Sequence, residues 1–277
     1  MKAMNRFKMT VLGALFAGGI AAVPAAQAAV VTQWSVGVVG QFLCGTAQFD
    51  GPGGSCAAQT MNWGTSTGPG QSGLDITNPA AATLVNTNGA AVPNMLVTHR
   101  NQPITGTSLE EVSLRSTLTL KPNVPDLPGL PAATLDFLID FYETPNGDNP
   151  CADGGVNGVG VNSAGCSDIF VIDQQSLNFP FQYDTDGAGG DPEVTYFISF
   201  FELTGGLNPL PVVACNSVLG PENDVCLGFR TPEGANTTFQ FAALITTEPV
   251  VIPEPGTLAA LSTGLLALGA LRRRRRA

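Results

Sequence analysis

The chain has 277 residues, of which 22 are acidic and 12 basic, and its formal net charge is −10. Three basic residues lie before residue 9 and five lie after residue 271, so residues 29–252 carry 21 acidic and four basic side chains. This strongly acidic stretch disfavours direct binding to nucleic acid, anionic lipid or anionic polysaccharide unless divalent cations bridge the charges. It is long enough to form one large domain with a substantial core.

Residues 1–28 have the three parts of a secretory signal peptide. Three basic residues precede an apolar stretch from Met9 to Val23, and Ala26-Gln27-Ala28 fits the small-residue pattern of a cleavage site. We therefore expect the protein to be exported, with a mature chain that starts at Ala29.

Residues 29–247 show the period-two alternation of apolar and polar residues that is typical of half-buried strands. Turns rich in Gly, Pro and Asn separate these segments, and no sustained helical periodicity occurs between them. The predicted strands are Val30 to Val39, Met95 to Thr98, Val112 to Leu120, Leu135 to Phe141, Ile169 to Ile172, Leu177 to Tyr183, Val194 to Phe200, Val225 to Phe229 and Phe239 to Ile245. This pattern predicts an all-β domain, an antiparallel β-sandwich for which a jelly roll is one arrangement.

Three long loops are expected in this domain, at Gly51 to Gly73, Pro145 to Gly165 and Asp184 to Pro192. Six cysteines lie in these loops or near strand ends, and an even count in an exported protein favours disulfides. Although six cysteines allow 15 connectivities, we predict the three sequence-adjacent pairs, Cys44 with Cys56, Cys151 with Cys166, and Cys215 with Cys226. A zinc site is disfavoured because there is no Cys-x-x-Cys spacing and only one histidine.

That histidine, His99, lies in the segment Thr98-His99-Arg100-Asn101 at a predicted strand end. Asn101 and the following Pro103 suit a turn that is held by hydrogen bonds from side chains to the backbone. The alternative is that His99 serves as a ligand or a catalytic base.

A Gly-rich loop between two predicted strands carries four carboxylates, Asp184, Asp186, Asp191 and Glu193. Hard oxygen ligands at this spacing can surround Ca²⁺, so we take this loop as a candidate calcium site, with a solvated polar turn as the alternative. The loop departs from the EF-hand pattern, because it has no third acidic or Asn position before Gly187 and no Glu twelve residues from Asp184. Residues 146–153 form a second loop of similar composition.

We predict that the protein is not an enzyme. A Ser-His-Asp or Cys-His arrangement would have to use His99, and no Gly-x-Ser-x-Gly turn accompanies it. Asp136, Asp140 and Glu143 could in principle supply the paired carboxylates of a glycosidase, but strand alternation places Asp136 and Asp140 on a solvated face.

The last segment, residues 248–277, has a distinct composition. An extended spacer (248–255) ends in Pro253-Glu254-Pro255, the apolar run 256–271 follows, and the chain then continues with Arg272, Arg273, Arg274, Arg275 and Arg276. Sixteen helical residues span about 24 Å, against about 30 Å of hydrocarbon, so we expect a marginal transmembrane helix whose arginines stay on the cytoplasmic side.

This order of Pro-Glu-Pro, apolar helix and arginine cluster resembles the PEP-CTERM sorting signal of exported bacterial proteins. The resemblance implies that exosortase, an enzyme encoded elsewhere, cleaves near Pro253 to Pro255. The protein would then pass from an inner-membrane-anchored intermediate to the cell surface or extracellular matrix. An ordinary tail anchor is the alternative. Thr98, His99 and Asn101 also resemble the motif of the THxN group of PEP-CTERM proteins, a group without an established function.

We expect a noncatalytic surface or matrix protein with a structural or adhesive role in biofilm or floc. Its expected partners are exosortase and the secretion machinery, and exopolysaccharide is a further candidate. The alternative is a carbohydrate-binding β-sandwich module, with calcium dependence left open. Such a module needs an aromatic platform, and Trp63, in a predicted Gly-rich loop, is the candidate.

Overall fold

A computed structural model describes residues 30–172, 178–185, 193–204 and 208–250. The predicted signal peptide, the Pro-Glu-Pro motif, the transmembrane helix and the arginine cluster lie outside the described residues, as do Asp186 and Asp191 of the predicted calcium loop. In the described part, no helix is both long and apolar enough to cross a membrane.

The described part of the chain is mostly strand. The strands are β1 (Gln33–Phe49), β2 (Ser55–Ala57), β3 (Thr60–Trp63), β4 (Thr65–Ser66), β5 (Ser72–Thr77), β6 (Thr83–Asn86), β7 (Val92–Asn101), β8 (Ile104–Thr105), β9 (Leu109–Val124), β10 (Ala133–Tyr142), β11 (Asp168–Ile172), β12 (Phe179–Tyr183), β13 (Val194–Glu202), β14 (Asn208–Pro209), β15 (Leu227–Thr231) and β16 (Ala235–Thr246). A 3-10 turn spans Gly160–Asn162, and one helix, α1, spans Val212–Leu219.

Fourteen of these strands form two seven-stranded sheets, and β4 pairs with β8 in a separate two-stranded sheet. Sheet I has the order β14-β15-β11-β10-β9-β1-β6, and sheet II has the order β12-β13-β16-β7-β5-β3-β2. All strand pairs within these sheets are antiparallel. The edge strands are short, and two of them contain a proline, Pro209 in β14 and Pro180 in β12. The predicted antiparallel, sandwich-like fold is therefore confirmed.

Both sheets contribute to the core between them. In β9, Val112, Leu114, Leu118 and Leu120 are buried and alternate with more exposed residues, as predicted. At one end of the sandwich, Trp34 is fully buried with its ring centroid 5.1 to 5.5 Å from the rings of three other aromatic residues. These three residues are Phe181, Tyr183 and Tyr196. The other end of the sandwich, described below, is polar.

Two sequence predictions need correction. The predicted loop Gly51 to Gly73 contains β2, β3 and β4 and the start of β5, because short Gly-flanked strands complete the edge of sheet II. The expectation of strands without intervening helices also needs correction, because one short helix is present. Helix α1 has only eight residues, and it covers the outer face of sheet I, where Cys215 and Cys226 pack with Val171.

All three predicted disulfides are formed. The bond between Cys44 and Cys56 joins β1 of sheet I to β2 of sheet II. The bond between Cys151 and Cys166 closes the long loop between β10 and β11, and the third links α1 to the segment before β15. The disulfides thus stabilise one sheet edge, one loop and one helix.

Replacing both Cys151 and Cys166 by Ser should lower the free energy of unfolding by about 3 kcal/mol, because the cross-link closes a loop of roughly 15 residues in the unfolded chain. Urea denaturation of the two proteins measures this difference. An unchanged midpoint, or free thiols found by mass spectrometry without reduction, would contradict it.

Candidate functional site

Three carboxylates meet at the end of the sandwich opposite Trp34. Glu143 follows β10, Asp168 begins β11, and Glu233 lies in the turn from β15 to β16. One ligand oxygen from each of the three lies within 4.8 Å of the other two. Asp168 is fully buried and Glu233 is nearly so, whereas Glu143 keeps partial exposure. We call these three residues the carboxylate cluster.

Each member of the cluster is held through one of its two oxygens. The Trp63 indole donates to Glu143 Oε2 at 2.9 Å, and the Thr144 backbone N–H donates to Asp168 Oδ1 at 2.9 Å. The Gly234 N–H donates to Glu233 Oε1 at 3.2 Å. The other oxygens, Glu143 Oε1, Asp168 Oδ2 and Glu233 Oε2, are buried without a hydrogen-bond partner among the described residues.

Burial and mutual repulsion make ionisation of the cluster unfavourable. Burial raises the pKa of Glu143 to about 7, and the charges of Glu233 and Asp50 add to this rise while the Trp63 hydrogen bond opposes it. Burial also raises the pKa of Asp168 well above its ordinary value, with a further contribution from Glu143. The pKa of Glu233 is raised by burial too.

The segment singled out around His99 lies next to this cluster. His99 and Asn101 are on the inward face of β7 and are fully buried. His99 Nδ1 shares a hydrogen bond of 2.9 Å with Thr231 Oγ1, and Asn101 Nδ2 donates to the Thr231 carbonyl at 3.0 Å. Because β7 belongs to sheet II and β15 to sheet I, both hydrogen bonds cross between the sheets. They fix the end of β15, two residues before Glu233.

His99 is enclosed by aromatic rings. It stacks on Trp63 with ring centroids 5.7 Å apart, and it meets the edges of Phe141 and Phe170 at 5.5 and 4.8 Å. Burial lowers its pKa to about 3, and the neighbouring Arg100 charge contributes to this shift. The imidazole is therefore neutral at ordinary pH. The sequence predicted that the Asn101 side chain would hold a local turn. In the structure this side chain instead donates to the backbone of the opposite sheet.

Thr98 and Arg100 point to the outer face of sheet II, as strand alternation requires. Thr98 Oγ1 lies 2.9 Å from Thr238 Oγ1 on β16. Arg100 forms an ion pair with Asp75 at 2.7 Å and also donates to the Met61 carbonyl and the Asn62 amide oxygen. Arg100 thus connects β7 with β5 and β3 from outside.

The loop between β10 and β11 lies over the carboxylate cluster. Asn162 accepts from the Ser167 N–H at 2.8 Å and donates to Asp153, which also forms an ion pair with Arg230 at 2.7 Å. At Gly165, with a φ of +135°, an added Cβ would come within 3.0 Å of Asn146 Oδ1 and 3.3 Å of Glu233 Cγ. A glycine is therefore required where the loop passes the cluster.

The other predicted site residues have different outcomes. Asp136 is paired with Arg115 on a solvated face, as predicted. Glu143, for which no face was predicted, lies one residue beyond the end of β10, and its side chain turns inward to Trp63. Trp63 is itself fully buried, so it is not an exposed platform for sugars. Asp184 and Glu193 flank residues outside the described part, and their role in a calcium loop stays a prediction.

Comparison with known proteins identifies one segment. Residues 251–276 match the PEP-CTERM protein-sorting motif. This match supports the prediction that the C-terminal segment is a sorting domain recognised by exosortase. A search of curated proteins finds no match to the chain.

Thr231→Val should lower the free energy of unfolding by about 1 to 3 kcal/mol, because it leaves His99 Nδ1 buried without its partner. Thr238→Val is the matched control, since it removes a hydroxyl that bonds Thr98 on the exposed face. Thr238→Val should lower the free energy of unfolding by less than about 1 kcal/mol. Equal effects in urea denaturation would contradict the structural role of the His99 contact.

Glu143→Gln should change how stability depends on pH in metal-free buffer. The pKa of Glu143 is higher in the folded than in the unfolded protein, so the wild type loses stability as pH rises from about 4.5 to about 7. The variant lacks this loss and should become more stable than the wild type by up to about 3 kcal/mol above pH 7.

Glu233, Asp168 and Asp50 also influence this site, so the quantity to compare is the difference between the two proteins at each pH. Denaturation curves measured across the range provide it. A difference that does not vary with pH would show that Glu143 ionises as it does in the unfolded chain.

Proposed function

We propose that this protein is a noncatalytic component of the bacterial cell surface or extracellular matrix, delivered by exosortase processing and acting in exopolysaccharide biofilm or floc. The PEP-CTERM match at residues 251–276 is the observation that carries this proposal. It indicates an exported protein with a membrane-anchored sorting step. In the proposed route, the signal peptide 1–28 is removed first, and the helix 256–271 holds the chain in the inner membrane until cleavage near Pro253 to Pro255.

The described domain supports a structural role. Three disulfides restrain a sandwich whose sheets are also joined by hydrogen bonds at the His99 end. His99 is enclosed in the core, where it cannot reach a substrate, and this argues against its use as a catalytic base. We propose that Thr98, His99 and Asn101 form the THxN motif, in which His99 and Asn101 join the two sheets and Thr98 links β7 to β16 within sheet II.

The acidic charge of the domain limits how it can bind exopolysaccharide. Between residues 29 and 252 the chain carries 21 acidic and four basic side chains, so contact with an anionic polymer needs bridging divalent cations. The alternative of a carbohydrate-binding module loses its predicted platform, because Trp63 is buried. The proposal therefore places the protein in the matrix as a cation-bridged structural element.

Replacing Pro253, Glu254 and Pro255 together by alanine should leave the protein in the membrane fraction at its uncleaved mass. The physical reason is that an alanine segment can extend the helix and removes the accessible backbone before the membrane. Fractionation and mass spectrometry of the protein from its native cell measure the location and both termini. The wild type should begin at Ala29 and end near Pro255.

Thr263→Ala, within the apolar run, is the control and should be processed normally. Cells that contain only the triple-alanine protein should also form weaker biofilm or floc than cells with the wild type. Normal processing of the triple variant would reject the sorting route. If the wild-type protein is processed normally but a strain that lacks the gene forms floc of unchanged strength, the matrix role is rejected and the sorting route stands.

A further inference from the structure

We propose that Glu143, Asp168 and Glu233 together bind one divalent cation of the calcium type at the polar end of the sandwich. This site is separate from the predicted loop around Asp184 and Glu193. It goes beyond the proposed matrix function, since it concerns how the domain itself is held together.

The spacing of the carboxylates fits a bound ion. Ligand oxygens lie about 2.4 Å from Ca²⁺, so two ligands on opposite sides of one ion are about 4.8 Å apart at most. One oxygen from each member of the cluster lies within 4.8 Å of the other two. A single cation can therefore contact all three without a large movement of the chain.

The free oxygens provide a second, independent observation. In each of the three carboxylates, one oxygen is fixed by an N–H donor, from Trp63, Thr144 or Gly234. The other oxygen of each is buried and has no partner in the described part of the chain. Asp168 is the clearest case, because it is fully buried and still leaves Oδ2 unpaired. Donors thus orient the carboxylates and leave one oxygen of each available to a ligand.

The described protein offers no positive charge to this cluster. Buried carboxylates need a partner cation or a proton. All four basic side chains in the described residues form ion pairs with other acids: Arg100 with Asp75, Arg115 with Asp136, Lys121 with Asp126, and Arg230 with Asp153. A cation from solution would supply the missing charge.

The ligand chemistry selects a hard ion. The cluster offers only carboxylate oxygens, which suit Ca²⁺ or Mg²⁺ better than zinc. Asn146 Oδ1, which is also buried without a partner, lies beside Glu233 and is a further neutral oxygen. Three acids contributed by separate segments suit the larger and less strict coordination of Ca²⁺. The partial exposure of Glu143 gives the ion a path from solvent.

Thermal denaturation and calorimetric titration of the purified exported protein, stripped of metal by a chelator, test this proposal. Millimolar Ca²⁺ should raise the Tm of the wild type by several degrees and should bind with measurable heat. Terbium, which replaces Ca²⁺, should luminesce when tryptophan is excited, because Trp63 contacts Glu143. Added Ca²⁺ should then displace the signal.

Glu233→Gln should abolish the calcium-dependent rise in Tm and the terbium signal, and in chelator it should be at least as stable as the wild type because one repulsive charge is gone. Glu143→Gln is the second variant and should behave in the same way. Glu248→Gln, an exposed acid outside the cluster, is the matched control and should keep the full response.

Asp184→Asn separates the two candidate calcium sites and should also keep the response. The proposal is overturned if neither Ca²⁺ nor Mg²⁺ changes the Tm or gives heat with the wild type, which would leave protons as the groups that neutralise the cluster. It is equally overturned if Glu233→Gln and Glu143→Gln retain the wild-type response, or if Asp184→Asn alone removes it.

Discussion

Hydrogen bonds between the two sheets hold the polar end of this sandwich, where purely apolar packing would otherwise be expected. Thr231 accepts from Asn101 through its carbonyl and shares a hydrogen bond with His99 through its hydroxyl, so one residue of sheet I is bound to two residues of sheet II. Trp63 makes a third link to Glu143. Because these groups are buried, each lost bond leaves a polar atom without water, which makes the relative position of the sheets specific at this end.

The strands could be predicted from sequence where one face is buried and the other is solvated. In β9 the buried positions 112, 114, 118 and 120 alternate with Ser, Arg and Thr, and the structure follows that alternation. The prediction failed for β3, where four residues between turns give too short a pattern to recognise. It failed for α1 because eight residues make about two turns, and packing with the Cys215–Cys226 disulfide supports the helix.

The carboxylate cluster could not be predicted, for a different reason. Glu143, Asp168 and Glu233 are isolated acids separated by up to 90 positions, and only the return of β10, β11 and β15 to one end brings them together. Glu143 lies one residue beyond the end of β10, and its hydrogen bond with Trp63 could be found only from the structure. By contrast, Thr98, His99 and Asn101 were visible in the sequence. The direction of each side chain, and the contact of His99 and Asn101 with Thr231, could be found only from the structure.

The edges of the two sheets bear on how such molecules behave when they are crowded. An exposed strand edge can pair with the edge of a second molecule and begin a fibril. In sheet I the edges are the two-residue β14 with Pro209 and the four-residue β6. In sheet II they are β12, interrupted by Pro180, and the three-residue β2, tied to β1 by the Cys44–Cys56 bond. Neighbouring copies at high density would therefore have to associate through side chains and bridging ions, and the backbone would add little to their cohesion.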